Sequence, residues 1–279
     1  MQLQISVCIP TKNEEKNLGS CLSSLRNEFD DVWVVDSGST DGTIKIAKEF
    51  GAKTANFQWN GEFPKKRNWA LRNLNFVHPW VLFLDADESV TPLFIQELHQ
   101  IIPHTQNVGF WLSYTNYFMN RELLHGDPMR KLALFRRDAG EYEQIPEFGW
   151  SSLDMEIHEH PVLQGMVGVL KSKIEHRDYR GLQHYIAKHN EYSLWEAKRF
   201  LWLKSAEASK WSELTPRQRF KYRNLDKWWL SHLYFWGAVL IKRGFLDGRY
   251  GWNFACLKRR YFQEIRLKII ELRDPKAVG

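Results

Sequence analysis

Val81-Leu82-Phe83-Leu84-Asp85-Ala86-Asp87-Glu88 runs four apolar residues straight into a cluster of three carboxylates. The apolar run is short and bounded, which predicts a buried strand of a parallel sheet, covered on both faces. Thr91 and Pro92 follow and suit the N-cap and first position of a helix. Phe94, Ile95, Leu98, Ile101 and Ile102 then recur at helical spacing. Asp85, Asp87 and Glu88 therefore fall where a buried strand ends and a loop begins. In open α/β sheets that edge is where ligands bind. Carboxylates this close repel unless neutralised, and a hard divalent cation that brings substrate phosphates with it would do so. A solvated acidic turn capping the next helix is the competing reading.

The chain before this stretch repeats the same unit. Ile5 to Ile9 is an apolar run ending at Pro10, followed by the polar loop Thr11-Lys12-Asn13-Glu14-Glu15. Leu18, Cys21, Leu22 and Leu25 keep helical spacing, with Asn17 placed to cap them. Val32 to Val35 is a second strand, breaking into the turn-rich Asp36-Ser37-Gly38-Ser39-Thr40-Asp41-Gly42-Thr43. A helix over Ile44 to Phe50 and a strand near Lys53 to Phe57 complete a strand–helix alternation that argues for parallel strands and right-handed crossovers. A helix opening with Lys65-Lys66-Arg67-Asn68 then leads into the central strand. Three strand ends on one edge thus carry polar loops, and their convergence outweighs any one of them.

Beyond Ile102 the texture turns to β, with Gly109 to Met119, Leu132 to Phe135 and Val167 to Ile174 reading as strands. Asp154, Glu156, His158 and Glu159 lie close together in an irregular stretch. From Leu182 onward the period is helical and the residues are rich in Trp, Tyr, Lys and Arg. The run Trp228 to Ile241, flanked by Lys227, Lys242 and Arg243, fits either a helix lying in a membrane interface or one packed on the main domain.

Composition bounds the alternatives. Over 279 residues the formal net charge is +6 and aromatics reach 14% with 13 Trp, a balance that favours anionic partners. No window offers about 18 uncharged apolar residues, so no membrane span is expected. The start of the chain lacks the pattern of a signal peptide. Cys8 and Cys21 sit at core positions and no Cys/His ligand cluster exists, which suits a reducing compartment.

Ile9-Pro10-Thr11-Lys12-Asn13-Glu14, Asp36 to Thr43 and Asp85-Ala86-Asp87-Glu88 resemble the three N-terminal signatures of glycosyltransferase family 2, the third resembling its DxD motif. Glu156-Ile157-His158-Glu159, His176 to Leu182, Lys188 to Ser193 and Gly244 to Gly248 resemble the bacterial enzymes that add a hexose to the lipopolysaccharide inner core. The resemblance implies a GT-A fold, an α/β nucleotide-sugar-binding domain over residues 1–180 with a mostly parallel sheet and flanking helices. Residues 181–279 would be an aromatic, basic helical extension facing membrane or acceptor. It implies an inverting hexosyltransferase, glucose from UDP-glucose being the expected donor, peripheral at the inner face of the cytoplasmic membrane. Its partners would be the nucleotide-diphosphate sugar, a lipid-linked saccharide and an anionic membrane surface, with no nucleic acid. A capsule, teichoic acid or peptide acceptor is the alternative inside the family. A non-catalytic module binding anionic lipid or RNA is the alternative outside it.

By the same resemblance Asp87 would ligate Mg²⁺ or Mn²⁺, with Asp85 near the ribose or reaching the metal through water, and His176 as an added ligand. Asp36 would meet the uracil ring, and Pro10, Thr11 and Glu14 would line base and ribose. Arg67 would contact the diphosphate with Lys66 beside it, while Lys65 is expected in solvent. The general base would be Glu159, with Glu156 next, and Asp154 is a third carboxylate in the same stretch.

Overall fold

Ile5–Thr11 (β1) is buried along its whole length, and its neighbours explain why. Val32–Asp36 (β2) pairs parallel on one side and Trp80–Phe83 (β4) parallel on the other. Alternate residues of these strands feed two separate cores. Val7, Ile9, Val34, Leu82 and Leu84 enter one, with Leu18–Leu25 (α1), Thr43–Glu49 (α2) and, beyond β4, Pro92–Ile101 (α4). Cys8, Val35, Val81 and Phe83 enter the other, under Lys66–Asn73 (α3). A strand buried on both faces has no polar alternation to keep, so the quoted run reads as continuous apolar sequence. Phe94 and Leu98 of α4 are fully buried, each contributing about 1.5–3 kcal/mol. Thr91 caps α4 as expected, its side chain accepting from the Phe94 amide, with Pro92 in the first turn.

The structure is a computed structural model that describes residues 3–126, 128–145, 153–154, 160–212 and 214–274. The remaining strands are Lys53–Asn56 (β3), Glu88–Ser89 (β5), Gly109–Phe118 (β6), Arg121–Leu123 (β7), Arg130–Arg136 (β8), Gly140–Tyr142 (β9), Pro161–Leu163 (β10) and Val167–His176 (β11). The main sheet runs β3-β2-β1-β4-β8-β6-β11-β5, with β7 paired to β6. Four of the seven pairings along that path are parallel, so the expected α/β sheet is mostly parallel. The quoted strand lies at its seam, because β4 meets β8 antiparallel. That places the loop after β4 opposite the start of β8, which matters for its charges.

Two compact units divide the chain: residues 1–122 with 128–180, and residues 123–127 with 181–279. The second contains Gly181–Ser205 (α5), Ala208–Ser212 (α6), Pro216–Asn224 (α7), Leu230–Trp236 (α8), a π-helical turn Gly237–Ile241, a 3₁₀ turn Gly244–Asp247 and Gly248–Arg273 (α9). Its core joins Phe200 and Leu203 of α5 to Phe262, Ile265 and Ile269 of α9. Thr215 and Gln218 form a reciprocal capping box at α7. Glu196 is fully buried and accepts from Lys221 Nζ at 2.5 Å and Tyr222 OH at 2.8 Å. No helix among the described residues is long and apolar enough to cross a membrane.

Candidate active site

The ends of β1 and β2 lie side by side, and their register sets Thr11 opposite Asp36. Thr11 Oγ1 donates to Asp36 Oδ1 at 3.0 Å, and Ser39 donates to the same carboxylate from its amide at 2.7 Å and its hydroxyl at 2.5 Å. A carboxylate offers about four acceptor positions, so Asp36 keeps room for one more donor. The loops after β1 and β2 are then laced together. The Asn13 amide donates to Ser39 Oγ at 2.7 Å, the Glu14 amide to Thr43 Oγ1 at 2.8 Å, and the Thr40 amide to Asn13 Oδ1 at 2.9 Å. Pro10 stays inside the strand, buried opposite Val35.

The N-terminus of α3 ties these loops to the acidic one. Lys66 is 1% exposed, donates to the Thr11 carbonyl at 3.0 Å and pairs with Asp154 at 3.1 Å. Burial pushes the Lys66 amine below its ordinary pKa against the pull of Asp154. Burial would raise the Asp154 carboxyl, but Lys66 outweighs it and holds it low. Lys65, expected in solvent, is buried too, with Trp59 beside its ammonium. A basic run is usually solvated, but this helix start is turned into the site. The next residue, Arg67, donates to Asp85 Oδ1 at 2.7 Å.

The acidic stretch itself is a tight turn. The Glu88 amide donates to the Asp85 carbonyl at 2.9 Å, and the Asp85 amide donates back to Glu88 Oε2 at 3.1 Å. Lys131, on β8, reaches across the seam and binds both Asp85 and Glu88. Burial pushes Asp85 up, but Lys131 and Arg67 together hold it well below the usual carboxylate range. Glu88 is raised, foremost by burial, and the two acids outweigh desolvation to raise the Lys131 ammonium. The repulsion expected among these carboxylates is thus relieved from within the chain, by a lysine the sequence reading did not assign.

Asp87 turns the other way. β5 pairs with β11 so that Glu88 faces His176, which brings His176 Nε2 to 3.5 Å from Asp87 Oδ2. Burial pushes the His176 pKa down, but Asp87 more than offsets it and the imidazole is held above its ordinary value. Arg180 joins the first loop to this corner: it donates to Glu14 at 2.6 Å and to Asp178 at 2.8 Å, and stands 3.8 Å from Asp87. Its guanidinium is raised in pKa, the acids outweighing desolvation. Asn17 does not cap α1 with its side chain. Its Oδ1, the atom that would cap, accepts instead from the Tyr179 amide at 2.9 Å, while its Nδ2 donates to Glu14 at 2.9 Å and Asp178 at 3.1 Å.

Thr11, Glu14, Asp36, Lys66, Arg67, Asp85, Asp87 and His176 are therefore brought to one sheet edge. Glu156 and Glu159 lie outside the described residues. Lys131 and Arg180 were missed. Arg180 had a local signal in its spacing from Asp178, whereas Lys131 had none, since its partners come from the seam. Among the described residues no group of three or more His, Cys, Asp and Glu is disposed to hold a metal ion. Asp87 and His176 supply two donors, and Asp85 is engaged by cations. The Asp87 carboxylate fits Mg²⁺ or Mn²⁺ of the kind completed by phosphate oxygens and water, and the His176 imidazole would join it only once it has lost the proton that Asp87 favours.

A family model described as glycosyl transferase family 2 matches residues 6–152, the segment that carries all three loops. An uncharacterized glycosyltransferase of Rickettsia felis is 26% identical over 254 residues, 88% of this chain and 82% of that one. The lipopolysaccharide core biosynthesis glycosyltransferase LpsC of Rhizobium meliloti is 27% identical over 205 residues, 70% of this chain and 71% of LpsC. Among solved structures, residues 1–349 of S. aureus TarS with UDP-GlcNAc match at a TM-score of 0.48 and 18% identity, over 98% of this chain and 92% of that one. With a family model spanning more than half of its length, this chain belongs to glycosyl transferase family 2.

Proposed function

We propose that this family 2 glycosyltransferase moves a hexose, glucose from UDP-glucose, onto a lipid-linked saccharide such as the lipopolysaccharide inner core, with inversion, at the inner face of the cytoplasmic membrane. The observation that carries the donor half is the meeting of the Asp36 loop, Arg67 and the Asp85–Asp87 turn at one sheet edge. The likeness to LpsC, named for lipopolysaccharide core biosynthesis, supports the acceptor.

In this reading Asp36 uses its remaining acceptor position for the N–H of the uracil ring. Pro10, Thr11 and Glu14 line base and ribose, Asp85 faces the ribose, and Lys66 holds the Thr11 carbonyl in place. Arg67, at the start of α3, meets the diphosphate, where a helix N-terminus and a cation both favour anions. Asp87 and His176 would hold Mg²⁺ or Mn²⁺. Bound there, the cation would neutralise charge growing on the departing diphosphate. Glu159, with Glu156 as the alternative, takes the proton of the acceptor hydroxyl as its oxygen attacks the anomeric carbon from the face opposite the diphosphate. One displacement converts an α-linked donor into a β-linked product. Asp154 is committed to Lys66 and is not assigned this role.

The test is transfer from radiolabelled UDP-glucose to truncated core lipid, with the product anomer read by NMR. Glu159→Gln should lower kcat by about 100-fold or more while UDP binding persists. A retained α configuration, or full turnover in both Glu159→Gln and Glu156→Gln, would overturn the mechanism.

A further inference from the structure

The second unit displays apolar side chains where folding would ordinarily bury them. α8 and the π-helical turn bury Leu230, Phe235, Ala238 and Val239 on one side. The other side exposes Trp236, Leu240 and Ile241, the last 82% exposed. The chain then reverses through Arg243, at φ +58°, and exposes Phe245 and Leu246 before α9 begins. Trp252, on the first turns of α9, is exposed as well, and its ring lies 6.5 Å from that of Trp236, both resting on Phe235.

This display is built into the backbone. A Cβ on Gly251 would come within 2.0 Å of the Gly244 carbonyl, and one on Gly244 within 2.8 Å of the Ala238 carbonyl. The π-helical turn, the 3₁₀ turn and the start of α9 therefore pack main chain against main chain. Asp247 completes the turn by accepting from the Leu124 and His125 amides.

Charge selects the occupant. From Trp236 to Trp252 the basic residues are Lys242, Arg243 and Arg249, and Asp247 is the sole carboxylate. Its oxygens are already taken by main-chain amides. A second copy of the chain docked face to face would set these cations against each other. An anionic bilayer answers both features, taking indole rings at headgroup depth and cations at its surface. No helix among the described residues is long and apolar enough to span, so the contact lies in the plane of the interface.

We infer that the turn from Trp236 to Trp252 is a membrane-docking element that inserts Leu240, Ile241, Phe245 and Leu246 into an anionic lipid surface while Lys242, Arg243 and Arg249 hold the headgroups. The inference deepens the proposed reading, in which the acceptor is lipid-linked, but it is tested without turnover. The full chain is sedimented with vesicles of phosphatidylcholine alone or with about 30% phosphatidylglycerol, and UDP binding is followed on the same samples. Wild type should bind the anionic vesicles and release them in high salt. Leu240→Ser/Ile241→Ser should lower the partition coefficient by about tenfold or more. Lys242→Gln/Arg243→Gln should lower it by about tenfold on anionic vesicles only. UDP affinity should be unchanged in both pairs. Acyl-chain bromine should quench Trp236 and Trp252, seen as quenching lost in Trp236→Phe/Trp252→Phe. Wild type that binds UDP but not vesicles, vesicle binding unaltered in both pairs, or self-association abolished by Ile241→Ser would each overturn the docking element and leave the donor site standing. Vesicle binding without UDP binding would support the docking element and count against the transferase reading alone.

Discussion

Replacing Lys131 by Met keeps an unbranched side chain of similar length and removes the ammonium, which lies over the Tyr114 ring and neutralises the acidic turn. Asp85 would keep Arg67 at 2.7 Å. Among the described residues Glu88 would keep the hydrogen bond from the Asp85 amide at 3.1 Å, with its side chain 1% exposed. Removing one partner of a buried pair costs about 3–5 kcal/mol. Because Asp85 retains a cation, the lower end applies, and we expect a loss of about 3 kcal/mol at pH 7.5. Urea unfolding followed by far-ultraviolet circular dichroism measures it as a lowered midpoint at unchanged slope. The pH dependence supplies an internal check. Burial already raises the Glu88 carboxyl, and without Lys131 it must rise further. A folded-state pKa above the unfolded value means the native state binds the extra proton, so stability falls as pH rises through that interval. The gap to wild type should therefore narrow as pH falls toward about 5. Lys131→Arg, which keeps the charge, should lose less than Lys131→Met. A loss below about 0.5 kcal/mol in Lys131→Met, flat with pH, would refute the view that this ammonium neutralises the turn.

Two further predictions concern stability. Asp31 is buried and accepts from Ser6 at 2.5 Å, Lys53 at 2.8 Å, the Val77 amide at 2.8 Å and Trp33 at 3.0 Å. Burial would raise its carboxyl, but these donors hold it below the ordinary value. Its contribution is present above the unfolded value of about 3.9 and is lost as pH falls through the lower folded value. Asp31→Asn should cost about 2 kcal/mol at neutral pH, with the difference closing below about pH 4 in urea titrations. Gly251→Ala drives a methyl onto the Gly244 carbonyl. It should lower the thermal midpoint by an overpacking cost of about 1–3 kcal/mol, whereas the exposed Ile241→Ser should leave the midpoint unmoved.

Much of the sheet was legible because β1, β4 and the end of β2 are buried on both faces and so read as unbroken apolar runs. The meeting of the three loops was legible because strand ends of one parallel sheet share an edge. What the sequence hid was set by tertiary pairing. β4 reads the same whether its second neighbour is parallel or antiparallel, so the seam with β8 and the approach of Lys131 left no local trace. Asn17 looked like a cap because only its position along the chain was visible, whereas the Tyr179 amide, 162 residues away, takes the side-chain oxygen that would cap. Lys65 looked solvated because basic runs usually are, and burial of a helix start is decided by the loops it meets. Trp228 to Ile241 read as one helix, but it changes to π-helical geometry at Gly237, which turns Leu240 and Ile241 outward.

Calorimetric titration of UDP into wild type and Asp87→Asn, each with Mn²⁺ and with chelator, tests the donor site most directly. Wild type should bind UDP in the micromolar range only with Mn²⁺, and a folded Asp87→Asn protein should lose about 100-fold or more. Equal UDP affinity in the two proteins, with or without the metal, would contradict it.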